Sequence, residues 1–138
     1  LEKEINSAHI IPTKTRETVL RKNPKWQGDI RIDRAVSRPI TATMAKWHRA
    51  SQDNYFSERY VYSESAPSRD YSSDATDRDV VRRISPLEGF RLQGFPDSYE
   101  KIRTDLACKF TPAYRVIGNA VPVTLAQAVL SHFLTDYG

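Results

Sequence analysis

Arg82-Arg83-Ile84-Ser85-Pro86-Leu87-Glu88-Gly89-Phe90-Arg91-Leu92-Gln93-Gly94-Phe95-Pro96-Asp97 carries more structural instruction than any other stretch of the chain. Ser85, followed at once by Pro86 and three residues later by Glu88, is a helix start. The hydroxyl serves one orphan N–H of the first turn and the glutamate reaches back to another. Proline at the first helical position removes a donor that has no partner there anyway. Gly94 is the matching stop, because it tolerates the left-handed conformation at a helix end. These signals predict a short helix over 86–93 that buries Leu87, Phe90 and Leu92, with Phe95 beyond it.

Downstream, Tyr114-Arg115-Val116-Ile117-Gly118-Asn119-Ala120-Val121-Pro122 leads into a second predicted helix over 122–135. Leu125, Ala128, Val129 and Phe133 form one stripe at helical spacing, and Ala126, Leu130 and Leu134 widen it. That stripe is broader than one small domain needs, so part of it is expected to face another chain. Upstream, Asp29–Asp33 alternates polar and apolar residues and predicts a strand. Pro39–Met44 and Tyr55–Tyr62 predict two more. The loop between those two, Lys46 to Asn54, is basic, aromatic and rich in amides. A weakly patterned helix is expected over 15–22, with turn signals at Asn23-Pro24 and Gly28-Asp29 around Trp26. Residues 63–79, mostly Ser, Asp and Arg, predict an exposed loop.

The chain has 138 residues, one domain's worth, of which 39% are hydrophobic. Its mean hydropathy of −0.59 marks a polar chain, short of core residues unless a partner's surface completes it. No continuous apolar run reaches the roughly 18 residues that span a bilayer, and the N-terminus has no signal-peptide pattern, so a cytoplasmic protein without membrane contact is expected. One Cys excludes an internal disulfide. The net charge is +4, and residues 1–60 hold 12 Lys/Arg against 7 Asp/Glu. That basic excess suits a phosphate backbone, and equally a solvated face that binds nothing. His9, His48 and His132 are isolated in sequence, so no metal site is expected.

The two quoted blocks resemble motifs nine and ten of the DNA (cytosine-5) methyltransferases. Matches fall at Arg83, Pro86, Glu88, Arg91, Leu92, Gln93, Gly94, Phe95, Pro96, Asp97, Tyr114, Gly118, Asn119, Val121 and Pro122. The cofactor-binding glycine loop and the Pro-Cys nucleophile segment of that family lie earlier in its sequences and are not found here. Cys108 has no preceding Pro and stands between the two motifs, so no catalytic residue is assigned. The resemblance implies that Gly118, Asn119, Ala120 and Val121 border S-adenosylmethionine, shared with a catalytic part elsewhere. It also implies that the helix after Pro122 packs on a missing Rossmann-like catalytic domain. Pro39-Ile40-Thr41-Ala42-Thr43-Met44 resembles the family's Thr-apolar signature in the variable target-recognition region, with either Thr41 or Thr43 as the equivalent residue. For Lys46, Trp47, Arg49 and Gln52, contact with DNA bases or phosphates is one reading. The other is a solvated loop with Trp47 tucked into the core.

The expected fold is α+β: an irregular, mostly antiparallel β target-recognition domain with one short helix and a longer C-terminal helix. Residues 1–80 are expected to form the target-recognition region, 81–113 the motif-nine segment, and 114–138 the motif-ten loop and docking helix. The implied function is that of the DNA-recognition subunit of a two-chain cytosine-5 methyltransferase, inactive alone, in a restriction–modification system. Its partners would be double-stranded DNA and the catalytic chain. The alternatives are a C-terminal fragment of a single-chain enzyme and a DNA-binding module without enzymatic function, the last disfavoured by a surviving cofactor-lining motif.

Overall fold

The computed structural model describes residues 1–4, 6–21, 25, 28–65, 67–99 and 110–137. The expected turns at Asn23-Pro24 and around Trp26, and Cys108, lie outside them. The chain divides into two compact units, residues 1–40 with 46–85, and residues 41–45 with 86–138.

The first unit is built on β1 (Tyr55–Ser57) and β2 (Val81–Arg83), an antiparallel pair in which Phe56 faces Arg82. Ile10 bridges Arg82 on the other side of β2, and the Ile11 N–H donates to Val81 O at 2.9 Å. Ile10 and Ile11 thus form a third sheet partner, and α1 (Thr13–Leu20) begins directly after Pro12. Ile11, Val19, Ile32, Ala50, Tyr55 and Val81 form the core, flanked by Leu20, Ile30, Trp47 and Ala75.

Two expected strands are replaced by other structures. Over 29–33 only Ile32 pairs, as a single bridge to Ser73. The Asp29 carboxylate accepts from both the backbone N–H and the guanidinium of Arg31, a local bond that competes with strand pairing. Asp33 then turns the chain at φ 55°. Residues 42–45 form a turn, closed where the Met44 N–H meets Thr41 O at 3.3 Å. The third expected strand is halved. Ser57 Oγ accepts from the Tyr60 N–H at 3.3 Å, and this N-cap starts the four-residue α2 (Glu58–Val61). The α+β class therefore holds, but among the described residues the ladder is only two short strands. Extended sequence without a paired ladder reads like a strand and folds as irregular chain.

The exposed segment over 63–79 is tied down in its second half. The Ile32 and Ser73 N–H groups exchange bonds with each other's carbonyls, and the Ala35 N–H donates to Tyr71 O. Beneath this lies Asp33, fully buried. Its carboxylate accepts from the Ser57 N–H at 2.6 Å, from Ser57 Oγ at 2.7 Å and from Ser73 Oγ, joining three segments of the unit.

The second unit begins with α3 (Pro86–Leu92), within a residue of expectation. Gly94 sits at φ 79°. Its N–H donates to Arg91 O and that of Phe95 to Phe90 O, the paired bonds of a Schellman ending. Phe90 is buried and meets Phe95 edge-on, but Leu92, expected inside, is 47% exposed. It lies on the outer face of a helix whose inner face is set by Gly89 and Phe90. α4 (Phe110–Asn119) was not anticipated, although Ala113, Tyr114 and Ile117, all fully buried, have helical spacing. α5 (Val123–Tyr137) follows. Taken as one stretch, Thr111–Thr135 is apolar and long enough to cross a membrane by length and composition, although polar residues interrupt it throughout. The break at Ala120–Pro122 divides it into helices of 10 and 15 residues, each shorter than the roughly 20 that a span needs.

Replacing Asp33 by Ala strands two buried donors of Ser57 and the half-buried Ser73 hydroxyl and is expected to cost about 3 kcal/mol in urea unfolding. Asp33→Asn should recover part of that loss. Equal stability of the Ala variant and the wild type would show that this carboxylate does not hold the unit together.

Candidate functional site

Two glycines and one glutamine fix the motif-ten segment. A Cβ on Gly89 would lie 3.1 Å from Ile117 Cδ1, so α3 and α4 cross closely at these two residues. At Gly118 the approach is tighter. A Cβ there would lie 2.1 Å from Ala42 N and 2.3 Å from Thr41 C, inside backbone. Only glycine lets α4 rest on the 41–45 turn. Gln93 completes the arrangement from the end of α3. Its amide Nε2 donates to Ile117 O at 2.9 Å and to Ala120 O at 3.4 Å. Its own carbonyl accepts from the Val123 N–H at 2.8 Å, at the start of α5. One residue of motif nine therefore holds the last carbonyls of α4 and the first amide of α5. Arg91 and Asp97 pair across the Gly94 turn at 2.9 and 3.1 Å, which explains the spacing of these two motif-nine residues.

What this framework presents is the short connection after α4. Gly118 and Asn119 end a helix, where sequence reasoning expected a loop, so the loop proper is Ala120–Pro122. Gly118 and Ala120 are half-buried, Asn119 is exposed and Val121 is 62% exposed. An exposed amide beside an exposed apolar side chain, on an immobilised turn, can hydrogen-bond the edge of a flat heterocycle and cover its face. Next to it, the broad stripe of α5 is bare. Leu125, Val129, Leu130, Phe133 and Leu134 are 47–76% exposed.

The residues considered for DNA contact are divided between the units. Thr41 and Thr43 lie in the second, Thr43 exposed and Thr41 with its hydroxyl oxygen buried without a hydrogen-bond partner. Lys46, Trp47, Arg49 and Gln52 lie in the first. Lys46 and Gln52 are exposed and Arg49 is half-buried. Trp47 flanks the core, with the Arg83 guanidinium 4.0 Å from its ring centroid. His48 Nδ1 stands 3.2 Å from the buried Asp53 carboxylate, and the His48 carbonyl accepts from Tyr55 Oη at 2.7 Å. The loop is thus anchored at its aromatic and histidine residues and open at Lys46 and Gln52. Among the described residues no cluster of three or more His, Cys, Asp or Glu is arranged to hold a metal ion.

From Pro86 onward the two motif blocks thus belong to one compact unit. The family described as C-5 cytosine-specific DNA methylase matches residues 2–134, and the chain belongs to it. Among curated proteins it is similar to the type II methyltransferase M.NgoPII of Neisseria gonorrhoeae, 40% identical over 60 residues, which cover 44% of this chain and 16% of that protein. Against M.HgiCI of Herpetosiphon aurantiacus it is 45% identical over 64 residues, 43% of this chain and 14% of the relative. Against M.HpaII of Haemophilus parainfluenzae it is 39% identical over 61 residues, 44% and 16% respectively. The chain spans less than a fifth of the length of the curated relatives it matches. No solved structure matches it.

The glycine contacts give a graded expectation. Gly89→Ala meets the flexible end of Ile117 and should cost about 1 kcal/mol, whereas Gly118→Ala meets backbone and should cost about 3 kcal/mol or more. Gln93→Ala, which removes the amide donor shared by Ile117 O and Ala120 O, should cost about 1 kcal/mol. Unfolding in urea measures all three, and a Gly118→Ala variant as stable as Gly89→Ala would show that the Thr41–Ala42 contact is not rigid.

Proposed function

We propose that this chain is the DNA-recognition and cofactor-lining part of a DNA (cytosine-5) methyltransferase of a restriction–modification system. It acts with a catalytic part that supplies the glycine loop and the cysteine nucleophile. The carrying observation is the bare apolar face of α5, set directly after a motif-ten turn that Gln93 and Gly118 immobilise, in a chain of the C-5 cytosine-specific DNA methylase family. An apolar face of this width suits an obligate interface, in which large apolar surfaces are shared. The Rossmann-like catalytic domain is the occupant that the family reading supplies. The same surfaces serve whether that domain lies on another chain or on the same one.

In this reading Asn119 hydrogen-bonds and Val121 covers S-adenosylmethionine, with Gly118 and Ala120 leaving room for it. The bound cofactor supplies the methyl group that is transferred to C5 of the target cytosine. Access to C5 requires the base to leave the stack, because its reacting atoms are shielded within the duplex. The first unit, with Lys46, Arg49 and Gln52 on an anchored loop, contacts the DNA, and the exposed Thr43, rather than Thr41 with its buried hydroxyl, does so from the second. Trp47 acts there as support, holding Arg83 and the core, rather than as a base contact.

Incubated alone with DNA and labelled S-adenosylmethionine, the chain should transfer no methyl group. Incorporation that disappears in Cys108→Ser would refute the division of labour. Val129→Asp places a charge on a half-exposed site of α5, so the isolated chain should stay folded. Its affinity for the catalytic part should fall about a hundredfold, which is about 2.7 kcal/mol. Co-purification of this variant at wild-type yield would remove α5 as the docking helix. In the assembled enzyme Asn119→Ala should weaken cofactor binding by about 1–2 kcal/mol and leave cofactor-free DNA affinity unchanged, as titration of each ligand would show.

A further inference from the structure

The first unit holds an arginine cluster that none of the preceding assignments uses. Asp29 sits among three guanidinium groups. Arg31 bonds it from two nitrogens at 3.0 and 3.1 Å, Arg34 donates to it at 2.8 Å, and Arg38 stands 3.7 Å away. The hydrogen bond from Arg31 is the chief reason that the Asp29 carboxyl is lowered to about 2. Arg38 is mostly buried, and burial, followed by repulsion from Arg34, pulls its pKa below the ordinary arginine value. Its position is fixed from both sides. Its N–H and C=O both bond the Asn54 side-chain amide, and its guanidinium donates to Asp29 O and Arg31 O.

Arg31 and Arg34 line a cleft of about 360 Å³ together with Arg69, Asp70 and Tyr71. The Ala35–Tyr71 and Ile32–Ser73 backbone bonds join the two segments that line it. Arg34 Nε is buried and has no hydrogen-bond partner. Four arginines against Asp29, Asp70 and Asp74, whose charge also acts on Arg31, leave one positive charge uncompensated. The cluster already grips one internal anion through planar forks that fit a phosphate equally well.

We propose that this cleft is a DNA-phosphate cradle, separate from the Lys46–Gln52 loop, in which Arg31, Arg34 and Arg69 bind one or two backbone phosphates of the duplex. The proposal rests on the DNA-recognition reading above and adds a second point of contact to it. Backbone contacts of this kind set the position of a protein on the duplex and carry no sequence information. The cradle therefore contributes affinity and register, and base reading stays with the loop.

The full chain is titrated with labelled duplex DNA of unrelated sequences over a range of salt concentrations. Arg34→Gln with Arg69→Gln should weaken binding to every sequence roughly tenfold and lower the salt slope by about two. Lys14→Gln with Arg21→Gln removes the same charge from the α1 region and should change both far less. Asp29→Asn removes the competing carboxylate and should tighten binding, whereas Asp77→Asn, an equal change of charge, should have little effect. If the double arginine variant fails to fold, Arg69→Gln alone, at an exposed side chain, should still lower the slope by about one. Cluster variants no weaker than the α1 controls overturn the cradle while leaving DNA recognition intact. A wild-type chain that binds no duplex overturns both, and a wild-type chain that prefers duplex RNA overturns the assignment to DNA.

Discussion

The absence of a side chain at Gly118 is the constraint on which the second unit depends. α4 lies so close to the 41–45 turn that one added carbon would fall inside the backbone of Thr41 and Ala42. The same α4 is crossed by α3 at Gly89, and Gln93 fixes the α4–α5 connection. Segments more than 70 residues apart in sequence are thereby locked, with Met44, Phe90, Tyr114 and Ile117 buried in the same unit. The unit can be built this way while α5 keeps its apolar face for something else. The glycine at 118 is explained by packing alone, without a contact of its own to any ligand.

The arginines divide into those that fold the chain and those left over. Arg82 lies over the Phe56 ring and donates to Glu2 O, and Arg83 lies over Trp47. Arg91 is paired with Asp97. The arginine pair and the Arg-Leu-Gln-Gly-Phe-Pro-Asp string are therefore structural in their charges as well as in their turns. Arg31, Arg34 and Arg69 differ, because together with Arg38 they outnumber the carboxylates within reach, Asp29, Asp70 and Asp74. A basic excess in the first 60 residues says little about a partner until the charges used internally are set aside.

Local signals were legible in the sequence and long-range ones were not. The Ser85 to Gly94 signals define α3 because caps and stops act within a few residues, and the α5 stripe is read from spacing alone. The strands over 29–33 and 39–44 failed for a physical reason. Extended, alternating sequence pairs only if a neighbour offers a ladder, and here Asp29 and Asp33 bind local or distant donors in its place. The sequence masks α4, because Pro112 stands in its first turn and Gly118-Asn119 at its end. Proline in the first turn of a helix costs nothing and glycine near its end can be demanded by packing. The residues of the turn, Gly118 to Val121, were named from family resemblance. The role of Gln93 in holding them needed the structure, since an amide between two helix ends has no sequence signature.

In the proposed reading this chain completes a cytosine-5 methyltransferase by docking α5 and its motif-ten turn on a catalytic part. The most direct measurement is bisulfite sequencing of host DNA after expression of a catalytic part lacking this region, with and without the chain. The account predicts 5-methylcytosine at one recognition sequence when both are present, and none with either alone. Methylation by the catalytic part alone at the same sites, or none with both despite a stable complex, would contradict it.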